Sequence, residues 1–330
     1  MIASALDLPA TARQIREARG VAHKRDIDAV VARLGLGQRA EAVPVGDDCA
    51  AIPDGDGHLL LAIEGFVESF VAADPYFAGY CGVMVNLSDV AAMGGRALAV
   101  VDAVWSRDGD AADPILAGLR DAAAVYGVPV VGGHTNTRAA SSNLAVAVLG
   151  RAGARLLTSF DARPGDDLVA AIDLRGRFRD PNPYWDASSG APGERLRGDL
   201  ALLPAIAEGG LCAAAKDISM AGVVGTALML LECSHVGGVV DPDAIPRPEG
   251  VSLERWLTAF PSFGYILSLR PDRTAAVLAR FAERGIAASA IGRLNGSKVA
   301  RIRDAAGEEE EVWDFHASPL IGCGRQGTAP

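Results

Sequence analysis

Residues 85–95 read Val-Asn-Leu-Ser-Asp-Val-Ala-Ala-Met-Gly-Gly, a stretch of small and apolar residues around a single carboxylate. They belong to a predicted helix over residues 78–96, in which Asp89 is the only acid. At about 100° per residue, Asn86, Asp89 and Met93 form a stripe roughly opposite the apolar face of that helix. Small residues around one acid indicate a surface that a ligand approaches closely, and a sparsely decorated exposed helix is the alternative.

Strand and helix patterns alternate on both sides of this helix. In the first half, apolar periodicity and turn residues predict a hairpin turn at 53–57, strands at 97–104, 128–131 and 143–149, and a helix over 114–126. The alternation continues in the second half, after a change of composition near residues 153–165. The sequence therefore predicts an α/β (α+β) fold with two domains, residues 1–155 and 156–330.

The composition limits the class of protein. Of the 330 residues, 50% are hydrophobic and 38 are glycine, so the chain can bury two medium-sized cores and is not disordered. Lys and Arg number 31 against 41 Asp and Glu, which gives a formal charge of −10. A nucleic-acid partner is not expected, because such proteins carry a basic surface.

The five cysteines form no CxxC pair and no disulfide framework, which is typical of reduced thiols. The first residues lack the apolar core of a signal peptide, and no uncharged apolar run approaches the ~20 residues of a membrane span. We therefore expect a cytoplasmic protein without a membrane partner.

Carboxylates stand out at two places before the helix. Asp47 and Asp48 are adjacent, and in a strand their side chains point to opposite faces, so at most one enters a site while the other caps a turn or meets water. Glu64 and Glu68 share one strand face, where they need a partner, a metal or solvent. An acidic turn and plain surface placement are the alternatives.

Two further segments combine glycine with polar side chains. Gly132-Gly133-His134-Thr135 follows a predicted buried strand, and a turn there would direct backbone N–H groups toward an anion. Asp217 and Ser219 precede an apolar helix, where each is either a site residue or an N-cap.

Common catalytic motifs are absent from the sequence, which has no Walker A loop, GxSxG elbow or HExxH helix. The histidines lack ligand spacing, so a soft-metal site is not expected. Scattered carboxylates with a Gly-rich anion segment remain, and these are the components of a Mg²⁺-nucleotide site that lacks a P-loop.

Taken in order, these segments resemble the PurM-like superfamily of aminoimidazole-ribonucleotide (AIR) synthetase, thiamine-monophosphate kinase, selenophosphate synthetase and the HypE-type maturation proteins. VNLSDVAAMGG is the most specific match. The other matching segments are VGDDCAAI (45–52), AIEGFVESF (62–70), GGHTN (132–136), ARPGDDLVAAIDLRG (162–176) and the region from Lys216 to Pro246.

The resemblance implies two α/β domains, with the first contributing strands to a homodimer barrel, and a cleft that binds ATP and Mg²⁺. It implies a cytoplasmic transferase of kinase or ligase type that acts on a small-molecule substrate. The implied metal ligands are Asp48, Glu64, Asp89 and Asp217. The implied ATP-binding residues are Asn86, Gly132, Gly133, His134, Thr135 and Ser219.

The chain departs from thiamine-monophosphate kinase at three places. His134 and Met220 stand where the kinase has Asp, and residues 262–265 replace its acidic GEDYE segment. The function implied first is ATP-dependent phosphoryl transfer to, or activation of, a small polar metabolite by an AIR-synthase-related enzyme. Thiamine-monophosphate kinase and a non-catalytic nucleotide-binding partner protein are the alternatives, and no residue is assigned to the chemical step.

Overall fold

The computed structural model describes residues 6–36 and 43–324, and it confirms the mixed α/β class. The helices are α1 (Leu8–Glu17), α2 (Arg19–Lys24), α3 (Asp26–Leu34), α4 (Glu68–Ala73), α5 (Pro75–Ala92), α6 (Gly109–Tyr126), α7 (Gly193–Leu200), α8 (Leu202–Glu208), α9 (Gly222–Cys233), α10 (Leu253–Trp256) and α11 (Pro271–Glu283).

The strands are β1 (Ala50–Asp54), β2 (Gly57–Phe66), β3 (Arg96–Trp105), β4 (Val130–Asn136), β5 (Asn143–Ala152), β6 (Asp167–Ile172), β7 (Arg177–Phe178), β8 (Tyr184–Asp186), β9 (Ala214–Asp217), β10 (Gly237–Val240), β11 (Phe260–Pro261), β12 (Gly264–Leu269), β13 (Ala287–Asn295), β14 (Val299–Arg303) and β15 (Glu309–Asp314). A 3₁₀ helix covers Pro242–Ala244.

These elements pack into two compact units. The first unit contains residues 48–156 and 190–209, and the second contains the remaining described residues. Each unit is thus built from separate stretches of chain, whereas the sequence predicted two continuous domains, 1–155 and 156–330. That division into domains stays a prediction. None of the described helices is both long and apolar enough to cross a membrane.

The first unit is built on a five-stranded sheet in the order β1-β2-β5-β3-β4. β1 and β2 form the predicted hairpin around the turn at 53–57, and β3 pairs with β4 in parallel. Leu60 and Ala62 on β2 are buried, whereas Leu61 and Ile63 are 47% and 69% exposed. One face of the sheet is therefore covered by α5, and the other is open and apolar.

Helix α5 lies where the sequence predicted it, but it begins earlier, at Pro75. The carboxylate of Asp74 accepts a hydrogen bond from the Phe77 N–H (3.1 Å) and caps its first turn. The alternative of a sparsely decorated exposed helix is wrong, because Asn86 is 0%, Asp89 6% and Met93 0% exposed. The helix is buried on all sides.

Helices α5 and α6 cross closely near the start of α5. A Cβ atom built on Gly79 would lie 2.0 Å from the Ile115 carbonyl oxygen. A Cβ atom on Gly118 would lie 2.0 Å from the Tyr76 carbonyl oxygen. Only glycine fits at both positions, so α6 lies directly on the first half of α5.

The segment around Gly132 and Gly133 also differs from expectation. The sequence predicted a buried strand at 128–131 followed by a turn, but the strand β4 runs over Val130–Asn136 and includes both glycines. Every residue of β4 is exposed. β4 is an edge strand, so its first residues, Val130 and Val131, pair with β3 but are not covered by another element.

The second unit holds a seven-stranded sheet in the order β15-β14-β10-β13-β6-β12-β9 and a small sheet in the order β11-β8-β7. Helix α9 is buried in its core. Its Glu232 carboxylate accepts hydrogen bonds from the N–H groups of Leu320 (2.7 Å) and Ile321 (2.8 Å), and burial raises the pKa of this side chain. Glu232 thus ties residues 320–322 to α9.

Candidate metal and nucleotide site

Two predicted metal ligands come together within the first unit. Asp48 lies just before β1, and Asp89 lies near the end of α5. A carboxylate oxygen of Asp48 is within 4.8 Å of one of Asp89. Asp89 is buried and Asp48 is half-buried.

Asp47 fills the other role that the sequence left open for the adjacent carboxylates. Its side chain accepts hydrogen bonds from the backbone N–H (2.8 Å) and the hydroxyl (2.7 Å) of Ser159. Ser159 is fully buried, and its carbonyl oxygen accepts from the Ser234 hydroxyl (2.7 Å). Asp47 therefore anchors the backbone directly before Asp48, and Asp48 is the one of the two that lies near Asp89.

Glu64 lies on β2 and pairs in register with Val146 of β5. Its side chain has the same parity as the buried residues Leu60 and Ala62, so it points toward the helix-covered face. Among the described residues, Glu64 is not one of those whose ligand atoms lie together within 4.8 Å. Its role as a metal ligand stays a prediction.

Asn86 is held inside the first unit. Its Nδ2 group donates hydrogen bonds to the carbonyl oxygens of Gly82 (2.7 Å) and Val146 (3.0 Å), which joins α5 to β5. Its buried Oδ1 atom has no hydrogen-bond partner among the described residues. One acceptor therefore remains on this side chain, although its donors are used structurally.

The segment Gly132–Thr135 presents an exposed strand edge. Gly133 pairs in register with Asp102, and His134 pairs with Ala103. The His134 ring lies 6.1 Å from the Trp105 ring, centroid to centroid. Because β4 is an edge strand, backbone groups on its outer side are free of the sheet ladder, and these groups are the ones that an anion can meet.

In the second unit, Asp217 is the last residue of β9 and is buried, and Ser219 follows in the loop before α9. Helix α9 begins at Gly222 with Ala221 as its N-cap and without a side-chain cap. The alternative that Asp217 or Ser219 caps the helix is therefore wrong. The Ser219 hydroxyl has no hydrogen-bond partner among the described residues, so it is available to a ligand.

Sequence reasoning missed Asp102. It is the only acid in the apolar run of residues 97–104, and this was the signal that could have found it. Burial raises the pKa of its carboxyl group above the ordinary value. Its carboxylate lies against the backbone of Gly133, so it belongs to the same region as the predicted phosphate-binding segment.

The donor set suits a hard divalent cation. Carboxylate oxygens are the ligands that Mg²⁺ and Ca²⁺ prefer, and Asp48 and Asp89 supply them at a spacing that one ion can bridge. The cysteine Cys49 near this pair is buried and donates its backbone N–H to the Met93 sulfur (3.1 Å), so it serves packing. The residues present fit Mg²⁺.

Comparison with known proteins identifies the family. The model for the AIR synthase related protein N-terminal domain matches residues 46–152, and the model for the C-terminal domain matches residues 192–305. Together they cover more than half of the chain. The chain belongs to the AIR synthase related family, and the resemblance stated above is confirmed.

Individual relatives agree with this assignment. The chain is 46% identical over 314 residues to the uncharacterised protein sll0787 of Synechocystis sp.. The aligned region covers 94% of this chain and 96% of that protein. It is 29% identical over 264 residues to a thiamine-monophosphate kinase of Halobacterium salinarum, covering 76% and 88% of the two chains.

A solved structure shares the fold. T. maritima PurL complexed with ADP has a TM-score of 0.75 and 18% identity, covering 99% of this chain and 55% of the PurL chain. The chain therefore spans about half the length of that PurL. At this identity, the likeness concerns the fold alone.

Proposed function

We propose that the protein is an ATP- and Mg²⁺-dependent enzyme that transfers a phosphoryl group to a small polar metabolite or activates it with ATP. The observation that carries this proposal is the pair of carboxylates, Asp48 and Asp89, within 4.8 Å of one another. Carboxylate oxygens at this spacing can act together as ligands of one divalent cation. A kinase among the relatives supports the same reaction class.

In this proposal Asp48 and Asp89 hold the metal ion, with Asp217 and Glu64 as the further ligands that the family resemblance implies. Bound Mg²⁺ would neutralise charge on the nucleotide phosphates during transfer. Asp47 keeps Asp48 in place through its two hydrogen bonds to Ser159. The protein itself holds the metal ligand Asp89 in a fixed position, because Asp89 lies on the buried helix α5.

The ATP phosphates are proposed to lie along Gly132, Gly133, His134 and Thr135, with Ser219 and Asn86 as additional contacts. Support comes from the exposed edge of β4 and from two unpartnered oxygen atoms, the Ser219 hydroxyl and Asn86 Oδ1. A hydroxyl can donate to a phosphate oxygen. Asn86 Oδ1 can only accept, so its partner would be a donor such as a nucleotide hydroxyl.

A thermal shift measurement tests the proposal. The protein is heated with the non-hydrolysable analogue AMPPCP, in the presence of either Mg²⁺ or EDTA. A ligand at about 100 times its Kd stabilises the folded state by about 2.7 kcal/mol, so we expect a higher melting temperature with Mg²⁺ only. The absence of any Mg²⁺-dependent shift would contradict the proposal.

Two alternatives are separated by turnover. Formation of thiamine diphosphate from thiamine monophosphate and ATP would identify a thiamine-monophosphate kinase, which the Halobacterium relative favours. ATP binding without turnover toward a library of metabolites would favour a non-catalytic nucleotide-binding protein. His134 and Met220, which replace acids of the kinase, favour an acceptor other than thiamine monophosphate.

We also propose that the protein is a homodimer, joined through the open face of the first unit's sheet. Leu61 of β2 pairs in register with Leu149 of β5. Ile63 of β2 pairs with Ala147 of β5, which in turn pairs with Val101 of β3. These side chains therefore lie on one face of the sheet. All except Ala147 are at least 39% exposed, and a contiguous apolar patch of this kind is typical of an interaction surface.

Ile63→Lys is expected to convert the dimer to a monomer, because it places a charge in the centre of this patch. Sedimentation velocity measures the outcome. Val30→Lys is the matched control, since Val30 is 51% exposed on α3 of the second unit, and we expect that variant to remain dimeric. A wild-type monomer, or an Ile63→Lys dimer, would contradict the proposed interface.

A further inference from the structure

Asp102 occupies a defined position on the first unit's sheet. The strand registers place Glu64, Val146, Asp102 and Gly133 on one rung that crosses β2, β5, β3 and β4. Side chains on one rung point to the same face of a sheet, and Val146 is fully buried there. Asp102 therefore projects beside the covered core, at the border with the exposed edge strand.

The Asp102 carboxylate takes the space that a side chain at position 133 would need. A Cβ atom built on Gly133 would lie 2.7 Å from Asp102 Oδ2 and 2.8 Å from its Cγ. The same Cβ atom would lie 2.6 Å from the Asp102 backbone carbonyl oxygen, which cannot turn aside, so position 133 requires glycine. The Asp102 carboxylate therefore lies directly against the backbone of the proposed phosphate-binding strand. A carboxylate repels a phosphate, so Asp102 is not expected to bind the phosphate groups themselves.

No cation in the described part of the chain is paired with this carboxylate. Within the described residues, Asp102 forms no ion pair and no hydrogen bond to another side chain, and it accepts only from its own backbone N–H. Its half-burial makes a carboxylate without an external donor costly. Burial also raises the pKa of the carboxyl group, which makes it a better proton acceptor than an exposed aspartate.

We infer that Asp102 is a catalytic residue that binds the acceptor substrate through the proton of its nucleophilic hydroxyl or amine. This inference rests on the proposed function. During transfer, the acceptor oxygen or nitrogen forms a bond to the γ-phosphorus, and its proton passes to the Asp102 carboxylate. The bond from the γ-phosphorus to the β,γ-bridging oxygen breaks, and ADP leaves with that electron pair.

The experiment compares wild type with Asp102→Asn, which keeps the shape and removes the basic carboxylate. Asp110→Asn is the matched control, because Asp110 is exposed in the first turn of α6. Binding of AMPPCP with Mg²⁺ is measured by calorimetry, and ATP hydrolysis, with water as the acceptor, by phosphate release. We expect Asp102→Asn to bind within about twofold of wild type and to hydrolyse ATP about 10²–10⁴-fold more slowly.

A second measurement needs no turnover. ADP with aluminium fluoride mimics the transferring phosphoryl group with a water molecule in the acceptor position. Aluminium fluoride is expected to tighten ADP binding at least tenfold in wild type and in Asp110→Asn, but not in Asp102→Asn. Equal tightening in all three proteins, or no tightening in wild type, would overturn the inference.

The outcomes separate the two proposals. If wild type does not bind Mg²⁺-AMPPCP, the proposed function itself fails. If wild type binds and Asp102→Asn loses binding in proportion to hydrolysis, Asp102 is a ligand of the metal or nucleotide, and the inference about the acceptor is wrong. If Asp102→Asn hydrolyses ATP at the wild-type rate, the inference alone is overturned.

Discussion

Asp89→Asn is expected to lower the affinity for Mg²⁺-ATP by at least about 100-fold. Outer-sphere partners of a metal ligand already change metal affinity by about 10–100-fold, and Asp89 is proposed as a direct ligand. Asn keeps the size of the side chain but removes the charge that faces Asp48, within 4.8 Å. Calorimetric titration of Mg²⁺-AMPPCP into the variant measures the loss.

A loss of affinity must be separated from unfolding of the variant. The melting temperature of metal-free Asp89→Asn is therefore measured beside that of wild type, and affinity is compared at a temperature where both proteins are folded. Asp110→Asn, on the exposed surface of α6, is the control that should retain wild-type affinity. An Asp89→Asn protein with wild-type affinity would exclude Asp89 from the metal site.

Gly118→Ala is expected to destabilise the protein by about 2–4 kcal/mol, although alanine is the better helix former. Its Cβ atom would lie 2.0 Å from the Tyr76 carbonyl oxygen and 2.7 Å from the Tyr80 backbone nitrogen. Both neighbours are backbone atoms of α5, so the two helices must move apart. The free energy of unfolding in urea measures the effect.

Gly109→Ala is the matched control for this substitution. Gly109 lies on the same helix, and a Cβ atom there would have no neighbour within 4 Å. We expect that variant to be as stable as wild type or slightly more stable. Equal stability of Gly118→Ala and Gly109→Ala would show that the crossing of α5 and α6 is not close-packed as described.

The sequence was sufficient for features that depend on local chemistry. The turn at 53–57 has the glycine and aspartate residues of a hairpin, and β1 and β2 pair around it. The run around Asp89 has helical periodicity, and α5 is a helix there. The sequence allowed only one of the two adjacent carboxylates to enter a site, and Asp47 binds Ser159 whereas Asp48 lies within 4.8 Å of Asp89.

Features that depend on packing between distant segments were not accessible from the sequence. Asn86 is buried because it donates a hydrogen bond to the Val146 carbonyl oxygen of β5, a contact between distant segments that no periodicity within α5 reveals. The inclusion of Gly132 and Gly133 in β4 depends on pairing with β3, because glycine alone indicates a turn. Asp102 could be recognised as a candidate site residue only from the strand register, which places it beside Gly133.

The most direct measurement is a calorimetric titration of AMPPCP into wild type and Asp89→Asn, each with Mg²⁺ and with EDTA. We predict binding by wild type with Mg²⁺, and binding weakened by at least about 100-fold both in EDTA and in the Asp89→Asn variant with Mg²⁺. Wild-type binding of equal strength with and without Mg²⁺, or no binding in either condition, would contradict a magnesium-dependent nucleotide site at Asp48 and Asp89.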